Sequence, residues 1–491
     1  MSTATIEKLE SHSPPPLVAS FRDPAGRLLT VDGRIIRVVK DEGLRDLRTF
    51  LASKAGRKLM AAGKVVRTEF LDPESDPVYA SPDVRALRDA APGALAVEHE
   101  RIPFQSYPYE WPPELLHAAG RLTLDLATAV LADGFGLKDG TPYNVLFHGP
   151  TPVFVDLLSF EQRDPGDPIW LPYAQFVRTF ILPLMVTKYF GISLEQMLTT
   201  RRDGLEPDEV YALCGPLQKW RPPFLTLVSL PALLAKKHDQ DDTSIYQKKH
   251  WDNAEKARFF LESLFRRLGR TLDRLQPRAG KQSTWSDYAS TNNNYTESHF
   301  TAKHEFVDQA MAELGSARVL DVGCNTGHFS AIAAKRGARV VGIDYDPVVV
   351  GETWRRATAE KLDILPLVVN LTRPTPGIGW RNQECPGFID RARGAFDAVL
   401  MLAVVHHMLV TERIPLPDII DLAAELTTDA LVVEFIAPQD SMFRRIVRGR
   451  EHLFEDLTPE VFETTCRRRF RIVRTQHLEG TSRWLYLLRK A

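Results

Sequence analysis

Cysteine is scarce in this chain. Four residues, Cys214, Cys324, Cys385 and Cys466, are scattered through 491 positions, and none forms a C-x-x-C pair. That spacing argues against a disulfide framework and fits a reducing cytoplasm. No His, Cys, Asp or Glu constellation has metal-ligand spacing either, so no metal site is expected. Charge of one sign is not in excess: 62 Lys and Arg face 63 Asp and Glu. Such a balance announces neither a nucleic-acid nor a membrane-surface partner. Long uncharged apolar runs are missing too. The most apolar stretch, FVRTFILPLMVTKYFGI, carries Arg178 and Lys188 and is too short and too charged to span a bilayer. The opening MSTATIEKLESHSPPPLVAS is polar and proline-rich with no apolar centre. It reads as a disordered tail over residues 1–20 rather than a signal peptide. Internal repeats are absent.

The length asks for two or three domains. A polar seam, QPRAGKQSTWSDYASTNNNY, follows the helical pattern DNAEKARFFLESLFRRLGRTLDRL and places a linker over residues 276–300. Beyond it, residues 301–491 alternate. Strands are expected at ARVLDV, ARVVGID, LPLVV, FDAVLMLA and DALVVEFI, with helices between them. That alternation predicts an α/β fold with a doubly wound, mostly parallel sheet. FRIVRTQHL and RWLYLLRK, joined by a short turn with Gly480, add a strand pair and so an antiparallel edge. Residues 21–275 read as an α+β domain. Short strands are expected at RLLTV, RIIRVV, KVVRTEF and ALAVEHERI, with a hairpin at Asp32-Gly33 and helices after Glu114.

The stretch VLDVGCNTGHFS, Val319 to Ser330, ends a strand on Asp321 and turns through Gly323, Asn325 and Gly327 into a helix. A parallel strand of this kind opens onto the ligand cleft of an α/β sheet. Glycines let the backbone approach a ligand closely, and the next helix aims its first amides there. The next strand stops on Asp344, about twenty residues beyond the first glycine, where a carboxylate accepts from ribose hydroxyls. A pyrophosphate cofactor favours G-x-G-x-x-G, whereas this spacing is G-x-x-x-G behind an acid. Asp321 would repel a pyrophosphate and suit an ammonium. The charge therefore selects S-adenosylmethionine over NAD.

These residues resemble the class I S-adenosylmethionine-dependent methyltransferases, over about residues 301–491. Asn325 stands where the family commonly has its middle glycine, and Asn tolerates unusual backbone angles. The resemblance implies that Asp321 and Gly323 hold the methionine end, with Asn325 and Gly327 completing the loop. Asp344 would hold the ribose, Tyr345 would flank the adenine, Asn370 and Leu371 would meet the adenine edge, and Ala403 would lie beneath the sulfonium. Methyl transfer needs a base only when the nucleophile is protonated. His406 and His407, just after FDAVLMLA, are candidates because imidazole titrates near neutrality; the resemblance favours the other reading, that the pair packs or caps the following helix. Glu434, ending LVVEF, is a second candidate for base or substrate contact. Trp285 and Tyr288 in the seam would form a lid over the cofactor or an interdomain packing contact. The basic segments FRRIVRGR and RRRFR can meet an anionic acceptor such as RNA, or form ion-paired solvent faces; the second fits better beside the acidic EHLFEDLTPE.

In the first half, LKDGTPYNVLFHGPTPVFVDLLSFE places Asp139 and Asn144 in D-x-x-x-x-N ahead of two strands and Asp156. This resembles the aminoglycoside-phosphotransferase-like kinase fold, in which the first acid orients a hydroxyl while the Asn and second acid hold Mg²⁺. Leu137 replaces the usual histidine, no glycine-rich phosphate loop is present, and neither Lys40 nor Lys64 is convincingly placed. A degenerate kinase-like module is the expectation. The whole arrangement is similar to bacterial methyltransferases associated with nodulation, which implies a small-molecule or glycan acceptor. The rivals are an RNA or protein methyltransferase, a non-catalytic cofactor-binding scaffold, and a bifunctional kinase–methyltransferase.

Overall fold

The structure, a computed structural model, describes residues 22–235, 250–279 and 297–491. The tail expected over residues 1–20 and the lid residues Trp285 and Tyr288 lie outside them. The first half begins with an antiparallel sheet of order β1-β2-β4-β3, made of Gly26–Val31, Arg34–Val39, Thr68–Phe70 and Leu95–His99. The β1–β2 hairpin turns through Asp32 and Gly33, both at positive φ (50° and 79°), which is what Asp-Gly favours. KVVRTEF is shorter as a strand than expected. Only Thr68–Phe70 pairs, and Val65 makes an isolated bridge to Phe154 instead. Two two-stranded pairs follow, β5 (Phe135–Leu137) with β8 (Phe160–Gln162), and β6 (Val145–His148) with β7 (Thr151–Phe154).

The helix Pro113–Val130 runs through the centre of this half and buries Leu115, Leu116, Leu122, Leu124 and Leu126. Among the described residues, Pro113–Asp133 is the one helix long and apolar enough to cross a membrane by length and composition, and much of it is buried in the core. It therefore exceeds the run around Phe176–Ile192 in apolar length.

The second half is a seven-stranded sheet of order β11-β10-β9-β12-β13-β15-β14. Its strands are β9 Arg318–Val322, β10 Arg339–Asp344, β11 Ile364–Val368, β12 Phe396–Met401, β13 Thr427–Ile436, β14 Phe470–His477 and β15 Arg483–Lys490. β11, β10, β9, β12 and β13 run parallel. Their near-continuous Val, Ile and Leu content matches burial on both faces. The expected antiparallel edge is present: β15 and β14 close one side of the sheet, with β15 antiparallel to both β13 and β14 and β14 outermost. The hairpin through Gly480 folds back so that apolar β15 is covered on both sides while alternating β14 takes the exposed position.

The halves meet along one face and one end of this sheet. Phe104 packs on Phe388 and Phe396, with ring centroids 6.0 and 5.6 Å apart. Glu110, wholly buried, accepts from Arg391 and from Thr375 Oγ1 (2.6 Å). Such a buried acid is tolerable because it is both ion-paired and hydrogen-bonded. A cleft of about 2290 Å³ runs between the halves, past Arg318, Arg339 and Phe396 at the starts of their strands.

Candidate functional site

Strand order reverses between β9 and β12, and at such a switch point the loops leaving the carboxyl ends part to make a crevice. Asp321 lies in the last turn of β9 and Ala403 just past β12, so the topology brings these two together. Asp344 ends the neighbouring β10. The loop between them is built as its residue types suggest. Gly323, Asn325 and Gly327 all have positive φ, at 70°, 49° and 74°. Asn325 thus adopts the left-handed conformation that a glycine would take at lower cost. Gly323 and Cys324 donate backbone N–H bonds to the Ile343 carbonyl (2.8 and 3.0 Å), tying the loop to β10. A Cβ on Gly323 would stand 2.5 Å from Val404 Cγ2, and one on Gly327 2.7 Å from Thr353 Cγ2. Both are cradles that only glycine leaves open.

The two acids are electrostatically unusual. Asp321 is buried and accepts from Ser330 Oγ at 2.6 Å. Burial pushes its carboxyl up to about 6, and the nearby Asp344 adds to the rise. Asp344 is likewise pushed up to about 6, first by burial, although it accepts from the backbone N–H groups of Asn325 and Asp346 (both 3.1 Å). Two raised carboxyls whose hydrogen-bond donors are neutral, with burial outweighing the Lys303 charge at Asp321, favour a ligand that carries positive charge and hydroxyl donors. The residues present therefore fit S-adenosylmethionine.

Tyr345 follows with 54 % of its surface exposed, open to a flat ligand face. Asn370 spends its side-chain oxygen on its own turn, accepting from Thr372 N (3.0 Å) and Thr372 Oγ1 (2.6 Å). Leu371 is buried, which leaves backbone for any outward contact. Ala403 has φ 57°, a strained conformation for a residue with a Cβ and one that gathers at functional sites.

His406 and His407 lie in the helix Val405–Val410, their rings 4.1 Å apart. Burial lowers both imidazoles from their ordinary range; His406 goes well below it, and its buried Nδ1 has no partner. Both are therefore neutral at pH 7. Glu434 is fully buried, 2.7 Å from Lys303 Nζ and 3.6 Å from Arg483 Nη1, and Arg483 is in turn held by Asp440 at 2.8 Å. The sheet edge thus carries Asp321, the loop, Asp344, Ala403 and the two histidines together, whereas Glu434 is engaged in an internal ion-pair chain.

Sequence reasoning missed Ser330, Lys303, Thr353 and Asp346. Asp346 was readable: Asp-Pro ahead of an apolar run marks a helix start, and its carboxylate caps Val348 N at 2.9 Å. Lys303 and Thr353 act across the fold and leave no local signal. The basic segments separate. Ser441–Val447 follows β13 at the same end as Asp344, while Arg468 and Arg469 line the cleft at the strands' amino ends.

Residues 260–473 match the family model of a methyltransferase domain. The match identifies a methyltransferase domain in the C-terminal half. The match starts inside the helix Ala254–Leu275, ahead of the boundary expected at residue 301. Over 500 aligned positions and the full length of both proteins, the chain is 29 % identical to nodulation protein NoeA of Rhizobium meliloti (strain 1021). A solved N-methyltransferase, NodS of Bradyrhizobium japonicum WM9 with S-adenosyl-L-homocysteine, shares 17 % identity over 43 % of this chain and 93 % of its own, with a TM-score of 0.31. The bifunctional kinase-methyltransferase WbdD shares 18 % over 41 % of each chain, with a TM-score of 0.28. The chain is an S-adenosylmethionine-dependent methyltransferase, and S-adenosylmethionine is its cofactor.

Proposed function

We propose that the enzyme methylates a small molecule or glycan at the crevice between β9 and β12. Full-length similarity to a nodulation protein supports that acceptor class, as does the balanced charge. The observation that carries the site is the carboxylate pair, buried Asp321 and partly buried Asp344, both raised to about 6 beside a glycine-lined loop. In this reading Asp321 holds the ammonium end, Asp344 the ribose hydroxyls and Tyr345 one face of the adenine. Asn325 and Gly327 shape the loop, backbone at Asn370 and Leu371 meets the adenine edge, and Ala403 underlies the reacting centre. The bound cofactor supplies a methyl group on a sulfonium. The protein's own part is to position the acceptor and to take a proton where the acceptor carries one. The neutral His406–His407 pair is suited to that, with His407 the more accessible. Glu434 is not, because protonating it would leave a buried excess of positive charge beside Lys303 and Arg483. Calorimetric titration with S-adenosylmethionine tests the site: Asp344→Ala should weaken binding at least about tenfold, or about 1.4 kcal/mol. Unchanged affinity would remove Asp344 from it.

For residues 21–275 we propose a separate, degenerate kinase-like domain, joined by a linker at 276–300 to the methyltransferase domain at 301–491. Arg37 Nη1 donates to Asp156 Oδ1 at 2.6 Å, and Ser159 Oγ donates to Asp156 Oδ2 at 2.6 Å. Asn144 Nδ2 donates to the same serine at 3.1 Å. The oxygens a magnesium ion would need are committed to Arg37 and Ser159, and a guanidinium stands against them.

A further inference from the structure

The cofactor loop is held from behind by a single side chain on the helix Pro347–Glu360. Thr353 is wholly buried. Its hydroxyl has two acceptors in reach, the Val349 carbonyl of its own helix at 3.0 Å and the Asn325 carbonyl at 2.7 Å. The first is already used by the helix ladder. The second belongs to a partly buried left-handed loop residue outside any regular ladder, whose carbonyl otherwise meets the weak donor Cys324 Sγ at 3.7 Å. The Thr353 methyl meanwhile fills the space beneath Gly327. On its other side the Asn325 peptide donates to Asp344 (3.1 Å), and Asp346, which caps this helix, donates its N–H to the same carboxylate (3.1 Å). One helix therefore sets both the loop and the acid that ends β10.

The opposite face of that helix is gripped by the N-terminal half. Gly351 leaves room for the Glu114 carboxylate, whose Oε2 would lie 2.6 Å from any added Cβ. Arg355 pairs with Glu114 at 2.6 Å, and Trp354 Nε1 donates to the Pro150 carbonyl at 3.0 Å. Positions 351, 354 and 355 share one face, and Thr353 is turned toward the loop.

We propose that Thr353 is a positioning residue for the cofactor loop and that the N-terminal half sets cofactor affinity through this helix. The inference rests on the reading that loop 321–327 holds S-adenosylmethionine. The test is calorimetric titration of the full chain with S-adenosylmethionine, with melting temperatures measured alongside. Thr353→Val keeps the shape and removes the hydroxyl; it should weaken binding about tenfold while the melting temperature barely moves, and Thr353→Ser should restore most of the affinity. Glu114→Gln, far from the loop, should weaken binding severalfold. Wild-type affinity in Thr353→Val, or a Thr353→Ser as weak as Thr353→Val, overturns the positioning role. Affinity losses that follow melting temperature across all variants reduce it to packing and overturn it too. Unchanged affinity in Glu114→Gln overturns the link to the N-terminal half. A wild type that does not bind sinks the cofactor-site reading itself, a result distinct from these.

Discussion

Cofactor affinity should fall steeply below pH 6. Asp321 and Asp344 are raised to about 6 when nothing is bound, burial being the main cause at each. A ligand that brings an ammonium and hydroxyl donors favours their ionised forms and returns each toward the ordinary value near 4. At pH 7.5 both are already ionised and binding costs no deprotonation. At pH 5 only about one-tenth of a carboxyl with pKa near 6 is ionised, so affinity drops about tenfold per group, or about 1.4 kcal/mol each. The two together give a drop approaching a hundredfold. The same shift has a stability consequence of defined sign. Raised carboxyls contribute stability present below the ordinary pKa near 4 and lost as pH rises through 6, of order 3 kcal/mol per group for a shift of about two units. The unliganded protein should therefore lose stability over that window, and saturating cofactor should restore it. Titration calorimetry at pH 5.0, 6.0 and 7.5 measures the first effect. Repeating the pH 6.0 titration in buffers of different ionisation enthalpy should show release of about half a proton per carboxyl. Affinity that stays level between pH 5 and 7.5, or proton uptake on binding, would refute the reasoning.

Gly323→Ala puts a Cβ 2.5 Å from Val404 Cγ2 at a φ of 70°; it should cost about 1–3 kcal/mol in chemical denaturation and abolish measurable cofactor binding. Lys303→Met leaves Glu434 buried with one weaker partner and should cost about 3–5 kcal/mol, most of it recovered in the double variant with Glu434→Leu. Magnesium-ATP should leave the melting temperature of the wild type within about 1 °C, since a ligand that does not bind the native state does not stabilise it; a clear rise would revive an active kinase site at Asp139, Asn144 and Asp156.

The C-terminal half was legible because its signals are local. Each parallel strand is a short apolar run, and the expected site residues Asp321, Asp344 and Ala403 lie at or just past the ends of β9, β10 and β12. Asn325, the departure from three glycines, is accommodated by the backbone it adopts. What local pattern could not supply was the order of the last two strands: apolar β15 and alternating β14 carry the clue, but their pairing is fixed by a hairpin that folds back over the sheet. The N-terminal half was harder to read because its strands are short. β3 has three residues and is held by long-range pairing rather than propensity. The contacts between the halves, Glu110 with Arg391 and Glu114 with Arg355, join residues more than two hundred positions apart and have no signature in either neighbourhood.

The treatment of buried acids separates ligand-facing from structural groups in this fold. Glu434 and Asp440 share Lys303 and Arg483, Glu110 has Arg391, and Glu114 has Arg355. Asp346, also buried, faces the N-terminus of its own helix. Each carries a compensating charge or dipole supplied by the chain, as a buried carboxylate must. Asp321 and Asp344 differ: their hydrogen-bond donors are neutral, Ser330 for one and backbone amides for the other, and at Asp321 burial outweighs the Lys303 charge. Burial is the first cause that raises both carboxyls. Asp321 stands where the strand order reverses and Asp344 ends the neighbouring strand, with glycine cradles between them. A positively charged ligand seated there would complete the electrostatics that the protein completes for itself elsewhere, which is why charge, more than the glycine spacing, supports the proposed cofactor site.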